Sequence, residues 1–470
     1  MKEKFRDEGT VSSLPLYKTI ITWILRLAVG GIFIFSGFVK GIDPWGTLYK
    51  MQDYVNVMPL PALSDGVLLT GVFLLFALEF LTGVFLVTGS FRRGAPILVM
   101  LFMAGMLPLT FWIALKSPVA DCGCFGDAWI ISNWATFWKN VAITAAGVWL
   151  IIYNRRVHWL VTPALQWLLF CVSAIYIIAA GVVGYSVQPL IDFRPYPVGS
   201  LLTKADADNS SEHFTFIYEK DGVQKEFSET DTLPDEADGW TFVDRKAVGA
   251  PKDNSNDMKT VGDFHIWTEE GDTDMTTDAI GNREGKRLIL MVPDLSEVSI
   301  APTWKINALK KWAEAHDTDF IAVMAGSPEE IANWKDLSLT DYPIYTAEDT
   351  SIKEVARGNP SVVYTEDGLI KWKSTLSAIP GEDTLDSPKT TDASMLHLDL
   401  SERAKEVTTI YLCMIAVLVM LSFTQKISWR RLFTGGKSRK KGENPSMGDD
   451  KTVKSDDERV SDGDKAPLGE

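Results

Sequence analysis

Six long apolar runs constrain this chain more than any other feature of its sequence. They occupy residues 19–39, 66–88, 94–115, 134–153, 159–183 and 407–423. At 1.5 Å per residue, a helix of about 20 apolar residues crosses a hydrocarbon core of about 30 Å. Helices of globular proteins average only about 11–12 residues. The runs therefore predict six membrane-spanning helices and not the buried helices of a soluble protein.

Basic residues flank alternate connections between these runs. The N-terminal segment, the pair Arg92 and Arg93, the pair Arg155 and Arg156, and residues 426–441 are all basic. Cytoplasmic loops carry an excess of Lys and Arg, so both termini are expected in the cytoplasm. The connection after the third run and residues 186–404 then lie on the opposite, periplasmic face.

The net charge of −15 belongs mainly to the region between the fifth and sixth runs, where the acidic residues concentrate. No basic stripe with interleaved aromatic residues occurs before the C-terminal segment, which argues against nucleic-acid binding. The predicted organisation is a cytoplasmic N-terminus, a four-helix membrane bundle, a fifth helix, a periplasmic domain, a sixth helix and a disordered cytoplasmic tail. These segments span residues 1–17, 18–153, 159–185, 186–404, 405–425 and 426–470.

Strand and helix patterns alternate in the second half of the periplasmic region. Apolar strands are predicted at 287–292 and 319–326, with an amphipathic helix between them, and Pro360 precedes a strand–turn–strand pattern. This order resembles the thioredoxin fold over about residues 260–380, a resemblance that implies a cis proline. The fold class is therefore an α-helical membrane bundle plus an α/β thioredoxin-like domain. Residues 186–404 contain no cysteine, so a binding or scaffold role is expected for this domain.

The sequence Asp-Cys-Gly-Cys-Phe-Gly at 121–126 holds Cys122 and Cys124, the two cysteines with polar neighbours. Three interpretations stay open: an exchanging disulfide, a structural loop disulfide or a metal site. An oxidising compartment favours a disulfide, and a one-residue spacer strains it and raises its reduction potential. Two thiolates are too few for a closed zinc site. Cys171 and Cys413, within the apolar runs, are expected to pack as small hydrophobic residues.

Four charged residues are candidates to support this pair. Lys40 is expected at the depth of the cysteines, where an ammonium lowers the pKa of a thiol, although it also fits an interface lysine. The carboxylate of Asp121 opposes the lowering of the thiol pKa, because a neighbouring negative charge disfavours the thiolate. Arg26 and Glu79 lie at similar depths in the first two runs, and buried charges need partners. The two are expected to pair, either to fix helix packing or as part of a proton or quinone site.

These residues also carry a family resemblance over about residues 18–153. The positions are Arg26, Phe35, Gly37, Lys40, Asp43, Pro44, Glu79, Gly83 and Gly89. Their order resembles the DoxX family of four-helix membrane proteins, and the two-cysteine loop narrows the resemblance to the MauE-like branch. The resemblance implies a role in making or maintaining disulfides outside the cytoplasm, and DoxX relatives imply a quinone as a candidate cofactor.

The predicted function is thus that of a bacterial inner-membrane accessory for thiol–disulfide chemistry through Cys122 and Cys124. Its expected partners are the lipid bilayer and a periplasmic client protein. The main alternative is a non-enzymatic membrane anchor or assembly factor whose thioredoxin-like domain binds a partner. A transporter is less favoured, because few polar residues occur within the runs. The oligomeric state does not follow from the sequence.

Overall fold

The computed structural model describes residues 14–435, except for 59–62, 118, 120–121, 204–212, 221–222, 229–240, 249–263 and 282–284. The chain divides into two units between Val419 and Met420. Three sequence-based expectations lie outside the described residues. They concern the start of the N-terminal segment, Asp121 and the tail after residue 435.

Six helices build the membrane region before the large soluble part. They are α1 (Leu16–Ile42), α2 (Pro44–Val57), α3 (Asp65–Thr88), α4 (Gly94–Lys116), α5 (Asn133–Tyr153) and α6 (Gln166–Ser186). All except α2 are long and apolar enough to cross a membrane. The last of them begins later than its apolar run, because the preceding loop is held against the end of α3, where the Leu160 N–H donates to the Thr88 carbonyl (2.8 Å).

Helix α2 occupies the connection between the first two apolar runs, for which the sequence alone predicts a loop. Its first turn is stabilised by Asp43, whose side chain accepts a hydrogen bond from the Gly46 N–H (3.0 Å). Pro44 follows at the first helical position, where its missing N–H costs nothing. The Asp-Pro sequence is therefore a helix start.

Glycines bring α1 and α3 into close contact. A Cβ atom on Gly30 would lie 2.7 Å from the Val87 side chain, and one on Gly37 would lie 2.4 Å from the Phe80 backbone nitrogen. Small residues at such positions let two membrane helices approach closely. The contacts fix the register of the pair, with Gly30 beside the last turns of α3 and Gly37 near its middle.

The soluble part contains two sheets. Strands β1 (His213–Lys220), β2 (Val223–Ser228) and β3 (Thr241–Val248) form an antiparallel sheet in the order β2-β1-β3. The strand patterns on either side of Asp221 and Gly222 predict a hairpin, which is confirmed as the β1–β2 pair. The second sheet has the order β6-β5-β4-β7-β8. Its strands are β4 (Lys286–Val292), β5 (Asp319–Met324), β6 (Ile344–Thr346), β7 (Ser361–Glu366) and β8 (Leu369–Thr375).

This five-stranded sheet is mixed and carries apolar side chains on both faces. Strands β4, β5 and β6 are parallel, whereas β7 is antiparallel to both β4 and β8. Leu288 and Leu290 pack with α7 (Thr303–Ala315) and α8 (Pro328–Ser338) in one core. Ile289 and Met291 pack with α9 (Asp349–Val355) in the other. The prediction of an α/β domain is confirmed, and the Asn359–Pro360 peptide bond is cis.

The short helix α10 (Glu382–Leu385) follows the sheet and packs near α7, and α11 (Ser401–Gly435) then returns to the membrane helices. Tyr411 of α11 stacks on Tyr176 of α6, with ring centroids 4.1 Å apart. The Ser173 and Tyr411 hydroxyls are 3.1 Å apart. With α11, the described residues contain six candidate membrane spans, as the sequence predicted.

Candidate functional site

The cysteine loop, residues 117–132, joins α4 to α5 and places two free thiols side by side. The Sγ atoms of Cys122 and Cys124 lie 2.7 Å apart. Cys122 is buried, with 7 % of its surface exposed, and Cys124 is half-buried. Gly123 and Gly126 have φ angles of +66° and +51°, a backbone region that favours glycine. The glycines of the motif therefore allow the tight turn that brings the sulfur atoms together.

Side chains from α1 and α2 hold this loop by its backbone. The Tyr54 hydroxyl donates to the Cys122 carbonyl oxygen (2.8 Å). The Lys40 ammonium donates to the Cys124 carbonyl oxygen (2.7 Å), and the Ser36 hydroxyl lies 2.8 Å from the same oxygen. Both cysteine carbonyls are thus bound by groups of the helix bundle.

Lys40 and Glu79 form a buried ion pair beneath the loop. The Lys40 Nζ atom lies 2.9 Å from Glu79 Oε2, and the two residues are only 6 % and 7 % exposed. Ser36 joins the network, because its hydroxyl lies 2.6 Å from Lys40 Nζ and 2.8 Å from Glu79 Oε2. This network satisfies charges that would be costly to bury alone.

The predicted pairing of Arg26 with Glu79 is therefore wrong. Arg26 instead donates from Nε to the Leu86 carbonyl and from Nη1 to the His158 carbonyl, both at 2.9 Å. A Cβ atom on Gly89 would lie 1.8 Å from Arg26 Nη2, so only glycine leaves room for the guanidinium. The glycine contacts between α1 and α3 set a register that places Arg26 at the end of α3. The prediction compared the depths of Arg26 and Glu79 by counting residues from the ends of their apolar runs. This count does not give the register of one helix against the other.

The two thiols differ in acidity. A hydrogen bond with Cys124, together with burial, raises the pKa of Cys122. The hydrogen bond from Cys122 lowers the pKa of Cys124; burial opposes this change, and the charges of Lys139 and Lys40 add to it. Lys139 Nζ lies 4.1 Å from the centre of the Phe125 ring, next to the loop. The site therefore favours the thiolate on Cys124, and Lys40 contributes to this effect.

A cavity of about 220 Å³ adjoins the thiol pair. It is bordered by both cysteines and by the Lys40–Glu79 pair. Half-buried apolar residues of the membrane-spanning α3 and α4 form another side, and the segment at 189–194 covers it. The apolar residues are Leu75, Met106 and Leu109. The cavity thus combines a charged wall, two thiols and an apolar wall within the membrane region.

The α/β domain reaches the same place through Arg357, which lies between α9 and the cis Asn359–Pro360 bond. Its guanidinium donates to both carboxylate oxygens of Asp43, at 2.8–3.1 Å, and to Asp127. Gln188, just after α6, binds both the N–H (3.1 Å) and the carbonyl (2.6 Å) of Arg357. One arginine therefore joins the domain to the end of α1 and to the cysteine loop itself.

A second buried cluster lies where the segment 187–194 meets β8. Asp192 accepts hydrogen bonds from Arg194 (2.7 and 2.9 Å) and from Lys373 (2.9 Å). Burial, reinforced by Arg194 and opposed by Asp192, lowers the pKa of Lys373 to about 7. The cluster anchors the segment that covers the cavity.

Sequence reasoning found the thiols, Lys40 and Glu79 but missed Tyr54, Arg357 and Asp127. Of these three residues, only Asp127 lies close to the cysteines in the sequence, so its spacing from them is the one signal that could have indicated it. Among the described residues, no group of three or more His, Cys, Asp and Glu residues could hold a metal ion. Cys171 is half-buried in α6, and Cys413 is exposed on α11, both away from the cysteine loop in sequence.

Comparison with known protein families finds matches for two segments of the chain. Residues 18–153, from α1 to the end of α5, match the family model described as methylamine utilisation protein MauE. This match covers less than half of the 470 residues. Residues 213–248, which contain β1–β3, match a domain of unknown function (DUF8463). No curated protein matches the chain, and no solved structure does.

Proposed function

We propose that this MauE-like membrane protein is an accessory for thiol–disulfide chemistry outside the cytoplasm, with Cys122 and Cys124 as its redox pair. The observation that carries the proposal is the 2.7 Å separation of the two Sγ atoms. A disulfide bond of about 2.05 Å can form from this arrangement with little movement. Thiolate is the reactive form of cysteine, and the surroundings of Cys124 favour it.

Cys124 is the sulfur that exchanges with the client, because it is the more exposed and more acidic of the two. In the oxidised pair, a client thiolate attacks Cys124 Sγ, the Cys122–Cys124 bond breaks and Cys122 takes up a proton. A second client thiolate then attacks the client sulfur of the mixed disulfide and releases Cys124, which takes up the second proton. The client gains a disulfide, and the pair receives two electrons and two protons.

Substitution of one cysteine at a time tests this assignment. Cys122→Ser should trap a mixed disulfide between Cys124 and its client, visible as a reducible adduct by non-reducing electrophoresis and mass spectrometry. Cys124→Ser is the matched control and should trap much less. If neither variant forms an adduct in cells that express it in place of the natural chain, the exchange function is excluded.

The proposed location is a bacterial inner membrane, with both termini cytoplasmic and residues 186–404 periplasmic. The basic residues Arg92, Arg93, Arg155 and Arg156 support it, because they all follow the ends of α3 and α5 distant from the cysteine loop. A periplasmic cysteine loop faces an oxidising compartment.

A membrane quinone is the proposed electron acceptor. The cavity supports this proposal, because it adjoins both thiols and has an apolar wall on α3 and α4. Oxidation of the reduced pair would form the Cys122–Cys124 bond and pass two electrons and two protons to the quinone, giving a quinol. We propose that Lys40 and Glu79, which line the cavity, hold protons during this exchange.

A short-chain benzoquinone added to the reduced protein in detergent tests this step. We expect two protein thiols to be lost for each quinol formed. Leu109→Trp, which fills the cavity wall, should weaken quenching of protein fluorescence by the quinone and slow thiol loss. Leu101→Trp is the control, because Leu101 is 69 % exposed on the same helix and does not line the cavity. Equal behaviour of the two variants would exclude the cavity as the quinone site.

The α/β domain is proposed to have a thioredoxin-like fold without its cysteines. The mixed sheet and the cis bond before Pro360 support this assignment, and the absence of cysteine between 186 and 404 leaves it a binding role. The matched family is named for methylamine utilisation. For this chain we propose an accessory role in the maturation of a periplasmic protein.

The alternative is a non-enzymatic membrane anchor or assembly factor. The 7 % exposure of Cys122 favours it, because a buried thiol fits a loop staple. The double variant Cys122→Ser, Cys124→Ser separates the two functions. If the pair is only a structural disulfide, the double variant should have a lower unfolding temperature. The thiol states of all periplasmic proteins should then be unchanged. The exchange function predicts that at least one periplasmic protein accumulates in its reduced form.

A further inference from the structure

We infer that the α/β domain is a tethered cover of the thiol pair, locked onto Asp43 and Asp127 by Arg357, and that a client protein reaches Cys124 only when this lock opens. The anchoring of the domain beside the thiols, through Asp43 and Asp127, stands on geometry alone. Its regulatory meaning rests on the proposed exchange function.

The lock is built on a desolvated ion pair between Arg357 and Asp43, whose side chains are 6 % and 15 % exposed, whereas the Asp127 side chain is 38 % exposed. Arg357 is 5 % exposed, whereas arginine is seldom so buried unless it is paired. Its two-point contact with Asp43 has the fork geometry that makes arginine–carboxylate pairs specific, and Asp127 adds a second carboxylate. A Cβ atom on Gly46 would lie 2.7 Å from Arg357 Nη2, so α2 leaves space for the guanidinium.

The two carboxylates belong to the redox site by position. Asp43 directly follows α1, the helix that carries Lys40. Asp127 lies three residues after Cys124 in the cysteine loop. Both carboxylates line the same cavity as the two cysteines. Arg357 therefore ties the domain to the wall of the thiol site.

A second attachment holds the segment at 189–194, which we call the roof. The segment at 189–194 lines the cavity, and Lys373 of β8 holds it through Asp192. The Thr375 N–H also donates to the Val187 carbonyl (2.9 Å). Because strand β8 and the loop of Arg357 belong to one sheet domain, the roof and the lock move as parts of the same body.

This arrangement separates two classes of reactant by size. A small lipid-soluble molecule enters the cavity from the side of α3 and α4 without moving the domain. A protein client must bring a cysteine to Cys124, which is half-buried beside a buried Cys122. The cover thus blocks the access of proteins to the thiol pair until the contacts of Arg357 break. Small molecules can reach the pair throughout.

Alkylation with reagents of two sizes tests the cover on the full chain in detergent. The background carries Cys171→Ala and Cys413→Ala, so only the thiol pair reacts. In Asp127→Asn, and more strongly in Arg357→Lys, we expect a polyethylene-glycol maleimide to react with Cys124 about tenfold faster, the change that about 1.4 kcal/mol of lost closing energy produces. The rate with N-ethylmaleimide should change less than about twofold, well under that tenfold scale.

Asp341→Asn is the matched control. It removes a carboxylate from the exposed ion pair with Lys310 on the same domain, and both reagents should react at their original rates. The cover is overturned if the large reagent labels the original protein as fast as the small one, or if neither lock variant accelerates it. It is also overturned if Asp341→Asn accelerates labelling as much as the lock variants do.

The outcome is independent of the exchange function. Adduct formation by Cys122→Ser with no change in labelling would retain exchange and exclude the cover. Faster labelling of the lock variants without any adduct would retain the cover and exclude exchange. Where both hold, Asp127→Asn should also increase the yield of the Cys122→Ser adduct.

Discussion

At the residue scale, the groups around the thiols act on the loop backbone as well as on the sulfur atoms. The sequence predicted that Lys40 lies near the depth of the cysteines, and the ammonium does bind the Cys124 carbonyl. It did not predict the bond to Glu79, because partner choice depends on the helix register, which the contacts of Gly30 and Gly37 set. Periodicity indicates which face of a helix is buried, but not how far the helix is shifted along its axis relative to its neighbour.

The hydrogen bond between the thiols controls the acidity of Cys124. We expect Cys122→Ala to raise the pKa of Cys124, because it removes the donor that contributes most to lowering it. Cys122→Ser keeps a donor and should raise it less. Since only the thiolate reacts, alkylation near neutral pH slows about tenfold for each pKa unit gained. Rates with N-ethylmaleimide across pH 5–9 measure this, and superimposed profiles for the two variants would contradict it.

The Lys40–Glu79 pair should tolerate joint replacement better than single replacement. Glu79→Gln leaves a buried ammonium without its counter-charge, at an expected loss of about 3–5 kcal/mol in the free energy of unfolding. Replacement of both residues, Lys40→Met with Glu79→Leu, removes that unpaired charge and should recover much of the loss. Thermal unfolding in detergent measures both. A double variant less stable than Glu79→Gln would show that the pair stabilises the fold beyond charge compensation.

At the element scale, long apolar helices were predictable and short interrupting elements were not. The five spans before the α/β domain follow from apolar length alone. Helix α2 was missed because Asp43 and Pro44 are equally at home in a loop and at a helix start. Strand β6, with only three residues, and the seven-residue α9 were missed because segments so short carry no clear periodicity.

Two glycines of α1 provide a matched test of the close contact between α1 and α3. Gly37→Ala places a methyl group 2.4 Å from a backbone nitrogen of α3, and overpacking of this kind costs about 1–3 kcal/mol. Gly31→Ala meets no atom within 4 Å and should be neutral or slightly stabilising through its helix propensity. Unfolding temperatures in detergent compare the two. Equal effects would mean that the α1–α3 contact does not depend on glycine.

At the scale of the whole molecule, the sequence predicted the parts but not their attachment. The charge of the connections indicated that residues 186–404 and the cysteine loop share one side of the membrane. The contact itself joins Arg357 to Asp43 across 314 positions of the chain. No local pattern marks two residues so far apart as partners, and a single sequence offers no other signal.

The proposed topology predicts which sites a membrane-impermeant maleimide can reach. On a background without the four native cysteines, Lys389→Cys in the α/β domain should be labelled from outside in intact cells with a permeable outer membrane. Arg155→Cys, just after the end of α5 that is distant from the cysteine loop, should react only after lysis. Both positions are exposed in the structure. Labelling of Arg155→Cys before lysis would reverse the assigned orientation.

The hydrogen bonds to the two cysteine carbonyls have a further consequence for the proposed thiol–disulfide exchange. Tyr54, Ser36 and Lys40 hold peptide oxygens, which are the same in the dithiol and the disulfide. The frame of the loop therefore does not need to be rebuilt when the sulfur atoms gain or lose their bond. In the proposed redox cycle, the bond between the sulfur atoms can therefore form and break while these carbonyl contacts stay in place, and the helices that carry the loop keep their packing.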